Sequence, residues 1–347
     1  MAEFITRRSA TSGLATLGAS ALLPRSARAD TAALEEAARK EGSVTWYMAQ
    51  ADAEKSEELG RAFTKDHPGI AVSVIRTTGQ VAFQRLLMDI KNHTPQCDIF
   101  SATDIAHMPV LKERHELTSF TPDNAAGLMP EFKRVSDDGY YYITNAGRYF
   151  LIYHNQKVTA DEAPKAWTDL LDPKWKGRVA TGHPAFSGCT GVWALSLKKQ
   201  YGWEFFEKLA ANNPRIGRSA GDPITLLNAG ECLVGVGAAG GAYPAEDKGN
   251  PIGVNHPADG LVLCLGPSAI PANAPHPNAA RLFLDWLLSD GYSRLIARDG
   301  SEPLRVDVPP RPGEPPLQTQ KVIPLTVEEI RTGVPEVIEQ WRDTFGS

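Results

Sequence analysis

Hydroxyl, amide and glycine residues cluster where predicted strands end. The first backbone N–H groups of a helix are unpaired and carry a partial positive charge, so a loop that leads from a strand into a helix suits an anion. Each such loop, taken alone, also has the composition of an ordinary helix cap or turn. Their recurrence after successive strands predicts one binding site for a small anion. The residues are Gln50, Ala51, Thr77, Thr78, Gly79, Gln80, Thr103, Asp104, His183, Ser187, Gly188 and Thr190.

Arg148 is the sharpest single candidate for contacting such an anion. Tyr149 and Phe150 follow it, and burying its guanidinium without a partner among apolar residues would be costly. The sequence leaves two partners open, an internal carboxylate or a bound anion, and a contact to the latter would contribute about 1.5–3 kcal/mol. Four further residues are expected in cleft loops of the same site: Arg218, Ser219, Asp222 and Tyr243.

Motifs for catalysis, cofactors and metals are absent or lie in the wrong context. Residues 235–240 fit G-x-G-x-x-G after a predicted strand, but the following residues do not resemble an apolar helix start, which argues against a dinucleotide site. No G-x-S-x-G, H-E-x-x-H or Walker motif occurs. We therefore predict no catalytic residue, no cofactor and no metal site.

Charge and cysteine content narrow the class of protein. With 36 basic and 41 acidic residues and a net charge of -5, the chain does not resemble a protein that coats nucleic acid. No segment approaches the roughly 18 apolar residues of a membrane span. Cys97, Cys189, Cys232 and Cys264 form no C-x-x-C pair, so a disulfide and buried free thiols both remain open.

Strands and helices alternate along the chain, which predicts an α/β fold with parallel sheets. The pattern breaks and begins again near residue 149, and 347 residues suffice for two lobes. An amphipathic helix is expected at 278–290, closed by Gly291, and a last helix at 326–341. The predicted strands are residues 43–49, 70–77, 97–102, 149–153, 178–183 and 232–237.

Residues 1–29 have the composition of an export signal. Arg7 and Arg8 precede a weakly apolar run that ends in Ala27-Arg28-Ala29, the small-x-small pattern of a signal-peptidase site. The arginine pair resembles a twin-arginine signal, and export through the general secretory route remains the alternative because the usual Phe and Leu are missing. We expect a mature protein that begins near Asp30 and works in the periplasm.

Five segments of the chain have distinctive sequences. The most distinctive is the run WTDLLDPKWKG at 167–177, and the others are EGSVTWY at 41–47, GRYFLIYHN at 147–155, AGE at 229–231 and AARLFLDW at 279–286. Together these segments resemble the extracellular solute-binding proteins of bacterial ABC importers, in the branch for ferric iron, phosphonates and sugar phosphates.

This resemblance implies a type II periplasmic-binding-protein fold, in which two α/β lobes are joined by two crossing strands around a ligand cleft. Lobe 1 would comprise residues 30–147 and 262–347, and lobe 2 residues 148–261. Arg148 matches an arginine of the family's crossing segment that reaches an anion in the cleft. The implied partners are a small-molecule ligand and an inner-membrane ABC permease; we expect a monomer that binds no nucleic acid.

The expected ligand is a small organic anion: a carboxylate, a phosphonate or a sugar phosphate. Ferric-binding members of the family commonly use two adjacent tyrosines after the strand at 232–237, whereas this chain has the single Tyr243 there. Ferric iron is therefore the alternative ligand, and a periplasmic enzyme on an α/β framework is the alternative function.

Overall fold

The computed structural model describes the backbone of residues 25–30 and all atoms of residues 31–135 and 138–346. Residues 1–24 of the signal peptide predicted at 1–29 lie outside the described residues, so the signal peptide stays a prediction. The strands are β1 Ser43–Met48, β2 Ala71–Arg76, β3 Ile99–Ser101, β4 Tyr142–His154, β5 Val179–Thr181, β6 Arg215–Ile216, β7 Val234–Ala238, β8 Ile252–Asn255 and β9 Val262–Ala269. The helices are α1 Arg25–Glu41, α2 Ala53–Asp66, α3 Gly79–Lys91, α4 His107–Glu113, α5 Pro130–Lys133, α6 Gly188–Tyr201, α7 Glu204–Ala211, α8 Asp222–Asn228, α9 Ala239–Asp247, α10 Pro277–Trp286, α11 Asp290–Arg298 and α12 Val327–Phe345.

The described strands form one mixed sheet in the order β2-β1-β3-β9-β4-β7-β5-β6, with β8 paired to β4. Strands β1 to β3 are parallel to one another, as are β5 to β7. We call β1–β3 with helices α1–α4, α10 and α11 the first half, and β5–β8 with helices α6–α9 the second half. The alternation of strands and helices in the sequence therefore corresponds to two βα units, each with its own set of parallel strands.

Two antiparallel strands, β4 and β9, join the halves. They pair along Tyr142 to Tyr149, with an irregularity in register between Ile143 and Asn145. Beyond that stretch β4 pairs with β7 and β8 of the second half, whereas the end of β9 pairs with β3 of the first half. The chain thus crosses between the halves at the centre of the sheet.

Aromatic side chains fill the core of each half. In the first half the Phe283 ring lies 4.9 Å from Trp46 and 4.8 Å from Phe63. In the second half the Phe206 ring lies 5.5 Å from Trp193 and 5.6 Å from Trp341. Because Trp341 belongs to α12, the last helix packs on α6 and α7. The prediction that residues 262–347 all belong to lobe 1 is therefore wrong for α12.

Two further expectations for helices need correction. The helix predicted at 278–290 is two helices, because Ser289 caps α11 by accepting a hydrogen bond from the Tyr292 amide at 3.2 Å, and Gly291 lies inside α11 instead of ending a helix. A helix, α9, also begins within the 235–240 glycine motif, where none was expected. Its buried face packs on β4 and β8, and this tertiary packing outweighs the low helix propensity of its glycines.

The four cysteines divide between the two states that the sequence left open. Cys189, in the first turn of α6, is disulfide-bonded to Cys264 in β9, with Cα atoms 5.3 Å apart. Cys97 and Cys232 are buried free thiols. Among the described helices, none combines the length and the apolar character that a membrane crossing requires.

Candidate functional site

A cavity of about 460 Å³ lies between the two halves. The first half contributes the loops that follow β1, β2 and β3, and the second half contributes the starts of α6, α8 and α9. The carboxyl ends of parallel strands thus meet the cavity, as expected for an open α/β sheet. The sequence-predicted residues that line it are Gln50, Ala51, Thr78, Gly79, Thr103, Ser187, Ser219 and Asp222.

The first-half wall presents hydroxyl groups and an uncapped helix. Helix α3 begins at Gly79, and its N-cap residue Thr78 makes no side-chain capping bond. The hydroxyls of Thr78 and Thr103 are buried and lack a protein hydrogen-bond partner among the described residues. A Cβ atom at Gly79 would overlap with the Thr103 hydroxyl, so glycine allows the two loops to approach each other. This wall therefore offers unused donors to a ligand.

The second-half wall presents two helix starts with different capping. At α6 the Ser187 hydroxyl accepts a hydrogen bond from the Thr190 amide at 3.3 Å, so this end is partly satisfied. At α9 the N-cap residue is Ala238, which has no capping group, and Gly240 and Gly241 line the cavity. Unpaired N–H groups of the first turn of α9 consequently face the same space as the start of α3.

Arg76 is the cation of the cavity wall that lacks a carboxylate partner within the part of the chain that the structure describes. Its Nε atom donates to the Ala51 carbonyl oxygen at 3.1 Å, and the side chain is exposed at the end of β2. The other two cations are paired, Lys55 with Asp299 at 2.5 Å and Lys248 with Glu54 at 2.7 Å. The Arg76 guanidinium has no ion pair to break before it binds an anion, although its charge acts on Asp222, which lines the same cavity.

Asp222 lies in the opposite wall, where it organises a loop. Its carboxylate accepts hydrogen bonds from the Arg218 amide at 2.6 Å and from the Ser219 hydroxyl at 2.5 Å. Burial raises the pKa of Asp222, but the hydrogen bonds from Ser219 and Arg218 and the charge of Arg76 outweigh burial and hold the pKa below its usual value. Asp222 is therefore an ionised residue that shapes the start of α8.

Gln80 and Asp104, both predicted at the site, lie behind the first-half wall. The Gln80 oxygen is 3.2 Å from Nε2 of His107, and Asp104 accepts a hydrogen bond from the Ala106 amide at 3.0 Å. The His107 ring is stacked on Phe83 with centroids 3.9 Å apart. This buried network supports the loop that carries Thr103 and does not reach the cavity.

Five other predicted residues also have structural contacts outside the cavity lining. The Thr77 amide bonds to the Met48 carbonyl, and Nδ1 of His183 accepts from the Ala185 amide at 3.0 Å. Thr190 lies 3.4 Å from the Tyr149 hydroxyl. A Cβ at Gly188 would overlap with the Thr103 backbone, so Gly188 brings the halves into contact. The Arg218 guanidinium lies 4.7 Å from the centre of the Phe186 ring.

Arg148 does not reach the cavity. Its side chain is 0% exposed, and Nη1 lies 2.8 Å from Oε2 of Glu314 and 3.8 Å from Oε2 of Glu302. Nη2 donates to the Gly300 carbonyl oxygen at 2.9 Å. Of the two partners left open by the sequence, the structure contains the internal carboxylate. The expectation that Arg148 contacts a bound anion is corrected accordingly, because acidic residues more than 150 positions further along the chain satisfy its charge.

Tyr243 belongs to the same internal cluster. Its hydroxyl donates to Oε1 of Glu314, which also lies 3.2 Å from Nε2 of His256. Burial and the neighbouring Glu314 carboxylate raise the pKa of Tyr243 well above its usual value, so its phenol keeps its proton. Tyr243 does not close over the cavity as expected. Within the described residues, no group of three or more His, Cys, Asp or Glu side chains is placed to hold a metal ion.

Comparison with known proteins assigns the chain to a family. Residues 39–293 match the family described as bacterial extracellular solute-binding protein. This chain belongs to that family. Over 291 residues it is 27% identical to the putative 2-aminoethylphosphonate-binding periplasmic protein of Salmonella typhimurium, a match that covers 78% of this chain and 77% of that protein.

Solved structures of periplasmic binding proteins share the fold. AfuA from Actinobacillus pleuropneumoniae, with exogenous fructose-6-phosphate bound, has a TM-score of 0.77 and 21% identity, and the match covers 88% of this chain and 99% of that one. Iron-bound HitA from Pseudomonas aeruginosa has a TM-score of 0.72 and 19% identity, covering 87% and 99%. The predicted type II periplasmic-binding-protein fold is confirmed.

Family membership also confirms the predicted role. The protein is a periplasmic solute-binding protein of an ABC importer. Its relatives named above are binding proteins.

The sequence analysis missed several residues of the cavity wall. Arg76 ends β2 immediately before the predicted loop at 77–80, so its position at a strand's carboxyl end was an available signal. Gly240 is the last residue of the 235–240 motif and Gly241 follows it directly; the motif was not assigned to the site because no helix was expected after it. Lys55 and Lys248 carried no sequence signal, because only the fold brings α2 and α9 to the same cavity.

Proposed function

We propose that this family member captures a small organic anion in the cavity between its halves. The observation that carries the proposal is the Arg76 guanidinium, which lines the cavity without an ion pair to any described carboxylate. A bound anion would supply that partner through charge-assisted hydrogen bonds, worth about 1.5–3 kcal/mol. The uncapped starts of α3 and α9 and the free hydroxyls of Thr78 and Thr103 supply further donors to the same anion.

The expected ligand class is a phosphonate, a sugar phosphate or a carboxylate of a few carbon atoms. A cavity of about 460 Å³ lies within the range of roughly 300–1,000 Å³ that is usual for small-molecule sites. Two relatives are linked by name to 2-aminoethylphosphonate and to fructose-6-phosphate. These two compounds therefore head the set of ligands to test.

Capture and release would follow from rotation of the two halves about β4 and β9. The irregularity between Ile143 and Asn145 lies where both strands cross, which makes this stretch the proposed hinge. The halves meet at the cavity mouth through the ion pair of Lys248 with Glu54. In this proposal lobe 1 holds residues 30–147 and 262–326, and lobe 2 holds residues 148–261 together with α12.

The test is isothermal titration of the mature protein with four compounds: 2-aminoethylphosphonate, fructose-6-phosphate, succinate and ferric citrate. Putrescine, a cation of similar size, is the control. We expect one of the three organic anions to bind with a Kd near 1 µM, about −8 kcal/mol, and putrescine not to bind. Binding of putrescine alone, or of ferric citrate alone, would contradict the proposal.

We also propose that the protein acts as a monomer and returns its ligand chemically unchanged. Mass spectrometry of the compound recovered after overnight incubation should show no mass change. Light scattering after size-exclusion chromatography should give the mass of one chain. A converted compound would instead support the alternative of a periplasmic enzyme.

A further inference from the structure

The Cys189–Cys264 disulfide forms part of the cavity wall. Cys189 is half-buried and lines the cavity, whereas Cys264 is 1% exposed. Both sulfur atoms contact the Thr103 carbonyl oxygen, at 3.9 Å from Cys189 and 3.7 Å from Cys264. Because Thr103 belongs to the first-half wall, the disulfide lies where the two halves touch.

The bond also ties the start of α6 to a crossing strand. Cys264 is paired with Gly147 in the β4–β9 ladder, next to the proposed hinge. Cys189 is the second residue of α6, directly after Gly188, which packs closely on the backbone of Thr103 and Asp104. The disulfide therefore holds the first turn of α6, with Ser187 as its cap, against the loop that carries the Thr103 hydroxyl.

We propose that this disulfide is a redox-sensitive element of the binding site, opened by a small thiol that enters the cavity. The accessible sulfur is Cys189, so an entering thiolate attacks Cys189 Sγ and the S–S bond breaks. Cys264 Sγ leaves with the electron pair and takes up a proton, and the entering thiol stays on Cys189 as a mixed disulfide. A second thiolate attacks that adduct and releases Cys189, so two small thiols are oxidised to one disulfide while the protein disulfide is reduced to two thiols.

Two consequences follow for the site. The mixed disulfide on Cys189 fills part of the cavity, and the fully reduced chain no longer ties the first turn of α6 to β9. Reduction should therefore weaken ligand binding at least tenfold. This last consequence rests on the proposed function, whereas adduct formation and local loosening do not.

The first experiment locates the reactive sulfur with glutathione. In the Cys264→Ala variant the remaining Cys189 should form a mixed disulfide with oxidised glutathione, seen by peptide mass spectrometry. In the matched Cys189→Ala variant, Cys264 should stay unmodified, as should Cys97 and Cys232, which are buried in the wild type. Equal modification of Cys189 and Cys264 would overturn the assignment.

The second experiment uses the wild-type chain and needs no variant to fold. Hydrogen exchange at the amides of residues 188–191 should become at least tenfold faster after reduction with dithiothreitol. Exchange in α10, in the first half, serves as the internal reference and should not change. Identical exchange at 188–191 in oxidised and reduced protein would overturn the proposal.

The third experiment titrates oxidised and reduced protein with 2-aminoethylphosphonate. Binding by the oxidised form alone, or at least tenfold tighter than by the reduced form, supports the inference, and equal binding by both forms refutes it. If neither form binds, the proposed function fails for this compound, while the adduct and exchange measurements still decide the redox inference. The Cys189→Ala/Cys264→Ala double variant should behave like reduced wild type and be insensitive to dithiothreitol.

Discussion

Arg148 and Glu314 form an ion pair inside the protein, with Nη1 and Oε2 2.8 Å apart and side chains 0% and 7% exposed. Arg148 lies in β4 and Glu314 lies in the segment between α11 and α12, so the pair fastens this segment to a crossing strand. Burial raises the pKa of Glu314, but hydrogen bonds from His256 and Tyr243 and the charge of Arg148 outweigh it and lower the pKa. The arginine thus has a structural role at the centre of the molecule.

The substitution Arg148→Ala should reduce the stability of the protein and leave its ligand affinity nearly unchanged. It would strand two buried carboxylates, and breaking a buried pair typically costs about 3–5 kcal/mol. We expect the free energy of unfolding in urea to fall by that amount and the Kd of the folded protein to change less than threefold. Glu314→Gln should lower stability by a smaller amount, since its amide still accepts hydrogen bonds. A large loss of affinity at unchanged stability would show that Arg148 contacts ligand after all.

Arg76→Ala should have the opposite effect to Arg148→Ala: it should lower ligand affinity and leave stability nearly unchanged. Arg76 is exposed and its removal leaves no carboxylate unpaired within the described residues, so the melting temperature should stay within about 2 °C. Ligand affinity should fall at least tenfold, about 1.4 kcal/mol, in calorimetric titration. Arg294→Ala is the matched control, because Arg294 is an exposed arginine that is paired with Asp290 and does not line the cavity. Unchanged affinity in the Arg76 variant would remove the main support for an anion site.

Gly79→Ala should disturb the first-half wall through a single methyl group. The new Cβ would overlap with the Thr103 hydroxyl, so the β2–α3 and β3–α4 loops must move apart. We expect a loss of affinity of about tenfold or more and a lower melting temperature. Gly291→Ala in α11 is the control: the Cβ there meets no atom closer than 3.9 Å, and alanine favours a helix. Equal behaviour of the two variants would argue against the close approach at Gly79.

Glu302 should make stability depend on pH. Burial raises the pKa of Glu302 from its ordinary value of 4.5 to about 7, although the charge of Arg148 acts to lower it. The folded chain then binds the proton more tightly than the unfolded chain, so this contribution to stability is full below pH 4.5 and is lost as the pH rises to about 7. The loss amounts to at most about 3 kcal/mol.

Thermal melts between pH 4.5 and 8 test this expectation. Glu302→Gln should flatten the decline in melting temperature relative to the wild type over that interval. Glu57→Gln is the control, because Glu57 is exposed in α2 and is not one of the charged groups that shift the pKa of Glu302. A slope that is the same in wild type and Glu302→Gln would mean that Glu302 does not titrate in this window.

Local sequence patterns determined the elements and the class of fold. β-branched and aromatic runs marked the strands, and a capping residue such as Ser187 marked a helix start, because these preferences act over a few residues. Strand-end loops with hydroxyls and glycines also pointed to Thr78, Gly79 and Thr103, which the fold places at the cavity. The family's motifs, which span most of the chain, indicated the two halves.

Tertiary structure alone decided which charges are free. Arg148 and Arg76 are both arginines in strands, yet Glu302 and Glu314 neutralise the first, whereas the second lines the cavity and forms no ion pair with a described carboxylate. The choice of Cys189 and Cys264 as the disulfide pair and the packing of α12 on α6 likewise depend on contacts between distant segments. Periodicity and propensity describe neighbours along the chain, while ion pairing and burial depend on neighbours in space, and this is why the binding wall was only partly visible in the sequence.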